Sequence, residues 1–173
     1  MQLNADLKNE ASFAAIVREH QAMVFSIALH VVGRRDLAEE LAQDVFVQLY
    51  QHIQAIQSPA HLKFWLRKTA AHRAIDCARR EAGARWVSLD EAIEPAGPPV
   101  DGQPLAKEQL KRLLDRLTPK ARMIVVLRYQ EEMEPREIAD VLGVPVNTVK
   151  SSLQRSLALL RAKFPLTLEG VRP

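Results

Sequence analysis

A stretch rich in Pro, Gly and Asp, between Val87 and Leu105, constrains this chain more than any other feature. It reads Glu94-Pro95-Ala96-Gly97-Pro98-Pro99 and then Asp101-Gly102-Gln103-Pro104. Neither a helix interior nor a sheet interior accommodates such a run, because each Pro removes a backbone donor and each Gly is conformationally loose. It therefore reads as a linker over residues 86–104, with a unit on each side, 1–85 and 105–173. Each unit is near the lower size limit for a separately folded helical domain. Both carry apolar faces of their own, so few contacts are expected to cross the linker.

The N-terminal half shows helical periodicity throughout. Phe13, Ile16, Val17, Val24, Ile27, Ala28 and Val31 mark a first helix that Gly33 is placed to cap. Asp36 and Glu39 have the spacing of a capping box opening a second helix, with Leu37, Leu41, Val45, Leu49 and Ile53 along one side. After the break at Ser58-Pro59, a third helix is predicted from about Ala60 to Ala84. A helical wheel places Leu62, Trp65, Leu66, Thr69 and Cys77 inward, and Lys68, His72, Ile75 and Arg79 outward.

In the C-terminal half, Leu110, Leu113, Leu114 and Leu117 mark one helix. Thr118-Pro119 starts a second that reaches Tyr129, as an N-cap followed by Pro at the first helical position. Glu134-Pro135 opens a short third helix, Arg136 to Leu142, that stops at Gly143, and a longer one follows from about Pro145 to Phe164. A short helix, a Gly turn and a basic helix form the helix-turn-helix pattern. No strand-like alternation competes, so the fold class is all-α: two small helical domains joined by a flexible linker, the second carrying a helix-turn-helix.

Charge is distributed in blocks. From Asp36 to Ile53 the only charged side chains are acidic, whereas from Lys63 to Arg85 basic residues outnumber Asp76 and Glu81. The linker is acidic through Asp90, Glu91, Glu94 and Asp101, and Val144 to Phe164 holds four basic residues and no acid. Such alternation suits several differently charged partners better than one.

On the last helix Val149, Leu153, Leu157, Leu160 and Phe164 share one side, leaving Asn147, Thr148, Ser151, Gln154 and Arg155 on the other. Short polar groups at the start of a helix that has no acids suit major-groove reading, where amide, hydroxyl and guanidinium groups reach base edges and phosphates. The plain alternative is a solvated face on a small core helix. The basic face of the third helix, with Phe64 and Trp65, would similarly suit phosphates and unstacked bases, although Trp65 also fits a core position. Glu40, Gln43, Asp44 and Gln51 form an acidic outward face suited to a basic protein surface, or simply to solvent. Asp76 has a local partner four residues on in Arg80.

Chemistry is not signalled. The single Cys77 cannot form an internal disulfide, and His61 and His72 are too far apart for a helical metal pair, so no metal and no cofactor are expected. No nucleophile and base, carboxylate dyad or phosphate-binding Gly loop is evident, which excludes the common enzyme classes. The first residues lack the pattern of a signal peptide and no apolar run reaches spanning length, which predicts a cytoplasmic chain without membrane insertion.

The order of the motifs is more specific than any one of them. Ala38-Glu39-Glu40-Leu41-Ala42-Gln43-Asp44-Val45-Phe46 comes first, then Phe64-Trp65-Leu66 with Ala70, Asp76 and Arg79-Arg80. Glu137-Ile138-Ala139, Leu142-Gly143 and Thr148-Val149-Lys150-Ser151 follow. Together they resemble the extracytoplasmic-function sigma factors of the sigma-70 family, over nearly the whole chain. The resemblance implies a specificity subunit of core RNA polymerase, often restrained by an anti-sigma factor. Residues 1–85 would be the sigma-2-like domain, in which Glu39, Glu40, Gln43, Asp44 and Gln51 bind the clamp of the polymerase largest subunit. Ser58, His61, Lys68, His72, Arg79 and Arg80 would read and melt the minus-ten element of promoter DNA. Residues 105–173 would be the sigma-4-like domain, docking on the flap of the second-largest subunit and reading the minus-thirty-five element through Asn147, Thr148, Lys150, Ser151, Gln154 and Arg155. The linker would enter the RNA-exit path.

Two departures stand out. His72 occupies a place where family members usually carry Asn, and Glu134-Pro135 and Pro145 open helices that serines commonly cap. A freestanding helix-turn-helix regulator is the alternative function, but it leaves the opposed charges of the second and third helices without partners.

Overall fold

The computed structural model describes residues 10–82 and 110–163. The linker 86–104 with its acidic side chains, and Phe164 at the end of the last predicted helix, lie outside the described residues. Regular structure among the described residues is helical: α1 Glu10–Val32, α2 Arg35–His52, a 3-10 turn Ile53–Ala55, α3 Pro59–Ala82, α4 Pro119–Tyr129, α5 Pro135–Leu142 and α6 Val146–Lys163. A helical turn at 110–114 precedes α4.

The chain's own punctuation sets these boundaries. Gly33 takes a left-handed φ of 72° and its N–H donates to the Leu29 carbonyl at 2.9 Å, ending α1 as anticipated. Ser58 caps α3, its hydroxyl accepting from the His61 N–H at 3.1 Å, with Pro59 in the first turn. Thr118 caps α4 in the same way, accepting from the Ala121 N–H at 3.3 Å. At α5 the Glu137 carboxylate reaches back to the Glu134 N–H at 2.7 Å, so a Glu-Pro opening does what serine does elsewhere.

Three local expectations are corrected. Asp36 does not cap α2, which starts one residue earlier behind Arg34. Gly33 leaves only Arg34 between α1 and α2, and the Asp36 carboxylate turns to the Arg34 guanidinium within the first helical turn. That hydrogen bond, followed by one from the Leu37 backbone, holds the Asp36 carboxyl below its ordinary pKa. Ile75, placed outward on the wheel, is only 6% exposed, because α3 is covered on more than one side. Asp76 pairs with Arg79 at 3.9 Å, three residues on, instead of with Arg80.

The halves also do more than sit side by side. α1 packs on α2 and α3 and also on α4, while α3 contacts both α4 and α5. A continuous buried cluster runs from Val24, Ile27, Leu49 and Leu66 into Met123, Ile124, Leu127 and Ile138. The reason lies in α4, where Met123, Ile124, Val125, Val126 and Leu127 are consecutive and all buried. At about 100° per residue, five such positions encircle a helix, and one partner face cannot cover them. The C-terminal half covers one side of α4 and the N-terminal half the other. The expectation of few contacts between the halves followed from reading the linker without this run.

Candidate nucleic-acid interface

The helix-turn-helix forms as its sequence suggests. α5 ends at Gly143, whose φ of 62° lets the chain reverse, and the Val144 N–H bonds the Ala139 carbonyl at 3.1 Å. The turn before α5 is fastened by Arg128, which donates to the Met133 carbonyl at 3.0 Å and to the Glu134 carboxylate at 2.8 Å. Val149 is wholly buried under α6, while Asn147, Thr148, Lys150, Ser151, Gln154 and Arg155 are all exposed on its other side. Two of these are in use within the helix. Ser151 donates to the Thr148 carbonyl at 3.1 Å, and Arg155 Nε donates to the Ser151 carbonyl at 3.3 Å, so reaching a base requires these weak local bonds to be exchanged.

The predicted minus-ten residues share α3 and its entrance but not one environment. Ser58 and His61 are engaged at the helix start, where His61 Nδ1 accepts from the Gln57 N–H at 3.3 Å. Lys68 is exposed with its ammonium 5.9 Å from the centre of the Phe64 ring. Arg79 and Arg80 are exposed near the end of the helix. Trp65 is half-buried, its ring 6.2 Å from that of His52. His72 Nε2 bonds the carbonyl of Val141 on α5 at 2.9 Å. A carbonyl only accepts, so Nε2 carries the hydrogen.

On α2, Glu39, Glu40, Gln43 and Gln51 are exposed as expected. Glu39 accepts from Arg35 at 2.8 Å, an i,i+4 pair. Asp44 departs from the expectation: it is half-buried and pairs with Arg73 of α3 at 2.8 Å. The basic helix thus draws one acid of α2 towards itself. Beside this face, Val17, Gln21, Phe25, Arg35, Ala42 and Phe46 line a shallow cavity of about 430 Å³ between α1 and α2.

Besides the His72–Val141 bond, three further polar contacts join the halves without a local signal in the sequence. Arg67, 16% exposed, forms a 2.9 Å ion pair with Glu131, 9% exposed, and also bonds the Glu131 carbonyl at 3.3 Å. Gln130 donates to the Ser26 hydroxyl at 2.9 Å. Arg122 donates to the Leu114 carbonyl at 2.8 Å and, across the halves, to the Val31 carbonyl at 2.9 Å, with Asp115 at 3.0 Å as its counter-ion. Burial pulls the Arg122 pKa down, opposed by the Asp115 charge. Val31 lies in the last turn of α1, where carbonyls have no partner within the helix, so Arg122 caps a helix of the opposite half. Arg122 and its partner are 91 residues apart in sequence, and no local pattern announces the pair.

Among the described residues no helix is long and apolar enough to cross a membrane, and no cluster of His, Cys, Asp or Glu has the makings of a metal site.

Known proteins share this arrangement. Two family models match the chain in order, Sigma-70 region 2 over residues 16–84 and Sigma-70, region 4 over residues 107–160. The RNA polymerase sigma factor SigV of Bacillus subtilis is 28% identical over 155 residues, covering 90% of this chain and 92% of that protein. The ECF RNA polymerase sigma factor SigE of Mycolicibacterium smegmatis is 31% identical over 156 residues, covering 87% of this chain and 60% of the longer relative. The sigma factor RpoE of Bartonella quintana, solved with the anti-sigma factor NepR, superposes with a TM-score of 0.68 at 19% identity, covering 90% of this chain and 98% of that chain, and so shares the fold. With both sigma-70 regions matched in their proper order, and with ECF sigma factors similar along most of its length, the chain belongs to the sigma-70 family as a sigma factor of the extracytoplasmic-function type.

Proposed function

We propose that this chain confers promoter specificity on core RNA polymerase by dividing the labour between its halves, acting in the cytoplasm by binding alone and without a cofactor. The observation that carries the reading is α6: six polar or basic side chains at its start face solvent behind a left-handed Gly143 turn, on a helix that has no acid. In this reading Asn147, Thr148, Lys150, Ser151, Gln154 and Arg155 read the minus-thirty-five element. Ser58, His61, Lys68, His72, Arg79 and Arg80 hold the minus-ten strand, the cations on phosphate and the ring of Phe64 or Trp65 against an unstacked base. Glu39, Glu40, Gln43 and Gln51 face the clamp of the largest subunit. Asp44 contributes there once Arg73 releases it. The C-terminal half docks on the flap, and an anti-sigma factor restrains the whole, a reading supported by the structural relative solved with such a partner.

The test compares run-off transcription and gel shift on one promoter fragment, with and without core polymerase. Glu40→Lys is a cleaner probe than a change at Asp44, because Glu40 is exposed whereas the half-buried Asp44 is paired with Arg73 of α3. Expected are weak, strongly salt-dependent duplex binding by the chain alone, specific initiation when core enzyme is added, and loss of that initiation in Glu40→Lys with the fold intact. Tight, specific duplex binding without core enzyme, unaltered by the substitution, refutes the proposal in favour of a freestanding regulator.

A further inference from the structure

We infer that two amides, Asn147 and Gln154, choose the sequence of the upstream promoter element, each pairing with an adenine, while Lys150 beside them adds affinity for any sequence alike; the inference rests on the function proposed above. Direction around α6 supplies the first part. Val149, Ser152 and Ser156 are buried, which fixes the packed side of the helix. At about 100° per residue, Asn147 and Gln154 both lie within about 15° of the direction opposite to the mean of those three. Lys150 stands about 50° to one side of that direction and Arg155 about 90° to the other. All four are exposed. A helix that docks with its packed side away from DNA thus sends Asn147 and Gln154 deepest into the major groove, where the base edges lie, and turns Lys150 towards a phosphate strand.

Availability supplies the second part. The Ser151 hydroxyl and Arg155 Nε are committed to carbonyls within the helix, whereas the Asn147 and Gln154 amides make no side-chain bond among the described residues. A primary amide presents a donor and an acceptor side by side. In the major groove adenine answers with the complementary pair, N7 accepting and N6 donating. Guanine shows two acceptors there, one of which would face the amide oxygen. Asn147 lies in the first turn of α6, the end that enters the groove first, and needs only a short arm. Gln154 stands seven residues on, where the helix axis draws away from the base edges, and has one methylene more. The separation is about 10 Å at about 1.5 Å per residue, equivalent to about three base pairs of duplex.

The experiment incubates the full chain and core polymerase with duplexes of random sequence, selects the bound fragments and sequences them. Run-off transcription from selected fragments maps the start site, and the enriched block farther from it is the upstream element. The parent is expected to prefer adenine about tenfold at two positions of that block, about three base pairs apart. Gln154→Glu, which replaces the amide donor by an acceptor, is expected to turn one adenine into cytosine, whose N4 donates, and to leave the other unchanged. Asn147→Ala is expected to relax the second position alone. Lys150→Ala is expected to keep the selected sequence, weaken binding to all fragments alike and lower the slope of log affinity against log salt by about 1. Circular dichroism checks the fold, and Gln154→Ala, which removes the amide without adding charge, is expected to flatten the first position if the glutamate bars binding altogether. An upstream element without the two adenines, or one that both Gln154 variants leave unchanged, overturns the amide reading while the sigma-factor function stands. A changed sequence in Lys150→Ala overturns the division between amides and cation. Enrichment of no element by the parent with core polymerase overturns the sigma reading and the amide assignment together.

Discussion

Replacing Arg122 with Met keeps most of the side-chain volume and removes every bond the guanidinium makes. Two of those bonds are short, to the Leu114 carbonyl at 2.8 Å and the Val31 carbonyl at 2.9 Å; the contact to Leu117 at 3.5 Å adds little. Hydrogen bonds from a charged donor contribute about 1.5 to 3 kcal/mol each. Against this stands the cost of holding a guanidinium out of water, which the variant no longer bears and which depresses the Arg122 pKa. The Asp115 side chain is about half exposed and recovers its hydration once the cation is gone. Setting the released desolvation against the two lost bonds leaves a destabilisation of about 2 to 3 kcal/mol, since the orphaned carbonyls sit in a covered region where water is scarce. Arg122→Lys restores one bond at most and is expected to fall between. The assay is urea unfolding of the full chain followed by circular dichroism, read as the shift in midpoint at constant slope. A change below about 0.5 kcal/mol for Arg122→Met, typical of an uninvolved surface position, refutes the cap between the halves.

Ile75→Ala is expected to cost about 2 to 4 kcal/mol in the same assay, as a truncation in a packed core does, whereas an outward position would cost almost nothing. Arg155→Ala is expected to weaken protection of the upstream element in a footprint with core polymerase by about 1 to 3 kcal/mol if the guanidinium contacts a base through two bonds, with Ser151→Ala costing less. The exposed Asp36 carboxyl, held below its ordinary pKa by Arg34, favours the folded state above its unfolded pKa and loses that contribution as pH falls through the lower folded value. Asp36→Asn is accordingly expected to flatten that part of the acid limb of stability against pH.

The caps, the helical periods and the Gly143 turn act within a few residues, and they could be read directly. Ser58-Pro59, Thr118-Pro119 and Glu134-Pro135 each end a loop and start a helix by chemistry contained in four residues. The exposed set on α6 was likewise legible, because Val149 and Leu153 fix which side faces inward. Tertiary packing decided what one helical wheel cannot represent. Ile75 is buried because α3 meets partners on several sides, and Asp44 turns from solvent to Arg73 on a neighbouring helix. The linker's composition indicated two units, yet the five-residue apolar run of α4 demanded a second cover that its own half does not supply. Arg67 with Glu131, 64 residues apart, and Arg122 with Val31, 91 apart, were brought together by that same burial. Hydrophobic demand is written locally in a sequence, but which surface meets it, and which polar groups are thereby buried together, is a property of the packed chain alone.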